Sequence, residues 1–144
     1  MWSDTLLALE RAHLLRLLVW GGMSTVAGTG LLAWLTLRRH RSSLLRSFAI
    51  QMSLWGLVHL AVAGRGIYRL ADRDLTSATQ LDRMLWLSTG IDIGLILVGI
   101  TLAAAGWILG RQLGAVGAGI GVLVQGAGLL VLDLGFVSIT ARIF

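Results

Sequence analysis

A chain of 144 residues with 56% hydrophobic and 13% charged side chains reads as a membrane protein. Without cysteine there is no disulfide, thiol nucleophile or cysteine-bound metal, and without proline any helix bend must come from glycine or a bulge. The net charge of +5 comes with no basic stripe interleaved with aromatics, which excludes nucleic acid as a partner.

Residues 1–13 form a lead in which Ser3 or Asp4 is suited to cap a helix and Trp2 to anchor at an interface. The lead either lies at the membrane surface or extends the first span. That span is expected over 14–37, too long for a signal-peptide core and therefore retained. It carries Arg16 one turn inside and a small-residue face of Gly21, Ser24, Thr25 and Gly28. The stretch Arg38–Ser47 holds four arginines and His40 with no acid, the pattern of a positively charged membrane-surface segment. A sharper reading of the same stretch is a site for anionic lipid headgroups.

A second span is expected over 48–68, with Gln51, Trp55 and His59 on one stripe at i, i+4 and i+8. The following Arg69, Asp72, Arg73 and Asp74 alternate in sign, as solvated ion-paired segments do, and Thr76 or Ser77 is suited to cap the next helix. A third span, 84–109, places Ser88, Asp92, Gly99, Ala103, Gly106 and Gly110 on one stripe. The turn at Arg111 and Gln112 is so short that spans three and four must form an antiparallel hairpin. The fourth span, 114–137, has one ionisable residue, Asp133. Its Gly114, Gly121, Gly128 and Gly135 recur every seven residues and predict one long packing face, with Gly117 and Gln125 beside it. The GAGIG run at 117–121 lies inside this span and lacks the preceding strand that a dinucleotide loop needs. The expectation is a single all-α domain over 1–144, an antiparallel four-helix transmembrane bundle with both termini on one side, termed side A.

Following the spans across the bilayer brings ionisable residues from all four into the half nearer side A. Such residues are costly in lipid, face the bundle interior and pair with one another. Arg16 or Arg65 is the expected cation for Asp92 or Asp133, with His59, Trp55, Tyr68 and Gln125 completing a polar network. Asp92 and Asp133 are expected to face each other across the hairpin, because both lie about twenty residues from its turn. His13 and His59 share this side, so a bis-histidine haem site is conceivable. No metal-ligand spacing or nucleophile–base arrangement stands out. The tryptophans at 20, 34, 55, 86 and 107 read as packing or interface anchors.

Trp55–His59 with Ala61–Gly64, then Ile91–Gly94 with Gly99, then Gln125, Gly126 and Asp133, resemble a family of small bacterial four-helix membrane proteins catalogued only as a domain of unknown function. The resemblance covers spans two to four. It implies the four-span fold and an important Asp/Asp/Gln set, and no activity. The family pattern has Asn where His59 stands; Asn replaces a hydrogen-bond donor but not an axial haem ligand.

These readings favour a non-catalytic integral membrane protein that binds a lipid or small ligand in a polar intramembrane site, or serves as an accessory subunit of a membrane assembly. The alternative is a small proton- or ion-coupled transporter using an Asp/Asp/His site, and third a haem redox protein. The cofactor is left open. The expected partners are the bilayer itself and a homo-oligomer or larger membrane complex. The expected location is a bacterial inner membrane; seven arginines fall on side A and five on side B, but side B has no acid and is expected in the cytoplasm.

Overall fold

The computed structural model describes residues 2–71 and 75–141 of the chain. The roles expected of Asp72, Arg73, Asp74 and Arg142, and of the side chains of Trp2, Thr76 and Ser77, lie outside what is described. Four helices account for the described residues: α1 (Trp2–Leu37), α2 (Ser43–Tyr68), α3 (Leu75–Ile108) and α4 (Leu113–Thr140). All four are long and apolar enough to cross a membrane, and the protein is an antiparallel four-helix transmembrane bundle.

Each helix is longer than its hydrophobic run. The lead before Leu14 continues α1 without a break, so Ser3 and Asp4 lie in its first turn rather than at a cap. At 1.5 Å per residue the 36 residues of α1 reach about 54 Å, well beyond the ~30 Å hydrocarbon core. α2 begins within the basic segment, with Ser42 as N-cap accepting a hydrogen bond from the Leu45 amide. The first turn is therefore shorter than the arginine run suggests. α1 closes with Arg39 in a left-handed conformation (φ 50°), while the His40 amide reaches Leu35 O and the Arg39 amide reaches Thr36 O. That is the Schellman pattern of helix termination, with arginine where glycine is usual. Gly110 (φ 95°) and Arg111 (φ 54°) reverse the chain between α3 and α4.

The helices pair as α1 with α2 and α3 with α4, and α4 also packs on α2 and, less extensively, on α1. Among the described residues α3 packs closely against α4 alone. Small residues set each crossing. Gly21 meets Gly56 O and His59 Cβ, and Gly28 meets Ser53 and Ala49 O, between α1 and α2. Gly99, Gly119 and Gly126 do the same between α3 and α4. The seven-residue glycine series of α4 is not one face against one neighbour. Gly121 lies on Gln51 of α2 and Gly128 on the indole of Trp20 of α1, while Gly135 has nothing near its Cβ position. An undistorted helix drifts by about 20° per heptad, so residues seven apart turn steadily from one partner to the next.

Candidate functional site

Because α3 is held only by α4, a cleft remains between it and the α1–α2 pair. It encloses about 430 Å³ and draws its lining from all four helices. Glu10 and His13 come from α1, Trp55 and His59 from α2, Ser88 and Asp92 from α3, and Asp133 and Phe136 from α4. The mouth between α2 and α3 is apolar: Val58, Val62, Met84 and Ile91 line the cleft and are also exposed on the outer surface.

Helix periodicity explains who reaches the cleft. On α1 the buried residues Leu6, Glu10, His13, Leu17, Gly21, Ser24 and Gly28 follow one stripe, and Arg16 falls outside it. On α3, Ser88 and Asp92 stand one turn apart on the face that packs on α4. Depths also agree. His59 is sixteen residues from the start of α2 at Ser43, and Asp92 is sixteen from the end of α3 at Ile108. Both are then about 24 Å from the side-B ends of their helices. Asp133, twenty residues into α4 from Leu113, is at about 30 Å, close to the side-A boundary of a ~30 Å core.

Asp133 is the fixed member of the set. Its Oδ2 accepts a hydrogen bond of 2.5 Å from Ser88 Oγ, and its Oδ1 lies 3.4 Å from His13 Nε2. The His13 ring stacks on Phe136, one turn beyond Asp133, with centroids 4.6 Å apart and planes 12° from parallel. Asp92 adjoins Asp133 across the α3–α4 contact. Asp92 Oδ2, however, is buried and has no hydrogen-bond partner among the described residues, and the same holds for both ring nitrogens of His59 and for His13 Nδ1. Asp92 is 2% exposed and His59 4%. Unsatisfied polar atoms at such burial are unusual and mark a place where something else completes the bonding.

Of the eight residues expected in one network, the structure brings Trp55, His59, Asp92 and Asp133 to the cleft. It does not bring the other four. Arg65 and Tyr68 are exposed, and Arg16 is an exposed residue lining a separate, shallow apolar depression with Trp20 and Leu132. Among the described residues the ionisable partner of Asp133 is His13, not an arginine. Gln125 is fully buried two turns along α4 from Asp133: its Oε1 accepts from Trp20 Nε1, and its Nε2 donates to Ser24 Oγ and to Met52 Sδ, all at 3.1 Å. It ties α4 to α1 and α2 with both amide hydrogens used, and it does not line the cleft. Sequence reasoning weighed His13 only as a haem ligand and Ser88 only as a small residue. The usable signal for both was their spacing: Glu10–His13–Leu17 on the inward stripe, and Ser88 four before Asp92. In the haem reading His13 would need a ring nitrogen free for iron. Its Nε2 faces Asp133 and its ring lies flat on Phe136, which leaves only Nδ1.

Fold and site together define a small polytopic membrane protein with a polar cleft enclosed by apolar walls. Comparison with known families agrees with that class: the model of a family of unknown function, DUF6992, matches residues 16–134. The chain belongs to that family. No curated protein and no solved structure matches it.

Proposed function

We propose that this protein binds an amphiphilic molecule within the membrane, non-catalytically, with the ligand's polar head at the Asp92–His59 end of the cleft and its chain leaving between α2 and α3. The observation that supports this reading is the pairing of unsatisfied, deeply buried polar atoms with an exposed apolar mouth in one cavity of about 430 Å³. That size falls in the range of small-molecule sites, and apolar lining with a few convergent polar groups is their usual composition. The mouth lies in the lipid-facing surface of the bundle, so a bilayer-dissolved ligand reaches it without crossing water. In this reading Asp92 and Asp133 are intramembrane aspartates, and the membrane is a bacterial inner membrane with side B in the cytoplasm.

Native mass spectrometry of the protein released from detergent tests the reading. The expected result is an added mass of one amphiphile, lost when Val58→Trp and Ile91→Trp together fill the mouth. A bound amphiphile that survives those substitutions, or an added mass that is only a second protein chain, would overturn it and favour the accessory-subunit expectation.

A further inference from the structure

Resting on the cleft reading above, we propose that the site selects a primary ammonium head on an alkyl chain, read by Asp92 and His59. The bonding left unmade decides the head. Asp133 has both oxygens engaged, by Ser88 and His13. What remains are the acceptor Asp92 Oδ2, His13 Nδ1, and the two nitrogens of His59, one of which accepts in the neutral ring. Asp92 and His59 line the cleft from opposite walls, on α3 and α2, each sixteen residues from the side-B end of its helix. A small head with at least two N–H donors bonds both walls at once.

Charge points the same way. Asp92 and Asp133 line the cleft beside two histidines, and among the described residues no arginine lines it. A carboxylate or phosphate head would add acceptors beside two carboxyl groups and be repelled. A quaternary ammonium matches the charge but has no N–H to donate. A hydroxyl has one donor and no charge, which ranks it second. The chain then runs from this end past Trp55 and Leu95, which line the same cavity nearer the middle of the bilayer.

The test uses the full-length protein in nanodiscs of zwitterionic lipid, with four probes of one chain length at equal bilayer mole fraction: dodecylamine, dodecanol, dodecyltrimethylammonium and dodecanoate. Retention of each on the protein is read by native mass spectrometry. Dodecylamine should be retained at a mole fraction about tenfold lower than the trimethyl and carboxylate probes, the scale of one charge-assisted hydrogen bond. Asp92→Asn should bring dodecylamine down to the level of dodecanol. Equal retention of the amine and its trimethyl analogue, or preference for dodecanoate, overturns the head assignment even if Asp92→Asn does not fold. Equal retention of all four, abolished by Val58→Trp, removes the head assignment and leaves the cleft standing. Retention of none removes the cleft reading itself.

Discussion

Asp133 and Gln125 show at single residues how a buried polar group in lipid divides between structure and binding. Gln125 has both amide hydrogens and its oxygen engaged by α1 and α2. Asp133 is held by Ser88 and His13 and in turn fixes both. Removing Asp133 leaves both His13 Nε2 and Ser88 Oγ without the acceptor they face, and each buried polar group left unsatisfied costs about 1–3 kcal/mol. Removing Ser88 deletes one interhelical hydrogen bond, for which ~0.6 kcal/mol is typical between membrane helices. Asp133→Ala is therefore expected to lower the unfolding midpoint in a detergent titration several times more than Ser88→Ala; equal effects would show that Asp133 is not the hub. Asp92, His59 and Asp133 were legible in the sequence because ionisable groups inside long apolar runs are costly and converge. The partner was not. Arginine looks like the natural counter-ion, but two successive three-residue steps, Glu10 to His13 to Arg16, rotate the side chain out of the inward stripe, and a long guanidinium side chain extends readily to the interface. Only the facing position of Phe136 and Asp133 on α4 makes His13 the partner.

At the level of helices, the glycines sort by what a Cβ would meet. At Gly119 it would come within 2.5 Å of the Ala103 amide nitrogen and 2.6 Å of Gly99 O, both backbone atoms that cannot swing aside. At Gly30, on the exposed face of α1, it would meet nothing within 4 Å. Gly119→Val should therefore separate α3 from α4, seen as a lowered unfolding temperature and loss of the retained amphiphile, since α3 has no other close neighbour. Gly30→Ala should leave stability unchanged or raise it by up to about 1 kcal/mol, the helix-propensity difference. A Gly119→Val protein as stable as the parent would mean that α3 is held by something other than this crossing. The sequence showed which stretches were rich in small residues, and the Gly21–Gly28 face does meet α2 as expected. It misjudged α4, where a periodic glycine series suggested a single seam. Three partners surround α4, so its glycines are spread around the helix, and a one-dimensional repeat does not tell these arrangements apart.

For the whole molecule, four spans and their antiparallel order followed from length, hydropathy and the brevity of the two side-B turns. The cleft did not follow, because connection lengths say which helices are consecutive and not that α3 stays apart from α2. Orientation follows from where the arginines sit. Side B holds Arg38, Arg39, Arg41, Arg46 and Arg111 with no acid, in the turns or within one turn of a helix start. Side A has seven, Arg11, Arg16, Arg65, Arg69, Arg73, Arg83 and Arg142, dispersed along the sequence. The raw total therefore runs seven to five for side A, and the argument for side B is local: arginines flanking the first span dominate, and acids contribute little. Across α1 the flanks carry four arginines on side B (38, 39, 41, 46) against two on side A (11, 16). We therefore propose that side B faces the cytoplasm and that the cleft, with its Asp92–His59 end, lies in the outer half of the bilayer. Alkaline phosphatase fused after Ala141 is expected to be active, and the same enzyme inserted at His40 inactive. Replacing Arg38, Arg39 and Arg41 by alanine leaves one arginine against two across α1 and should yield a mixed population by the same reporters. Activity at His40 in the parent chain would reverse the orientation and move the amphiphile's point of entry to the cytoplasmic leaflet.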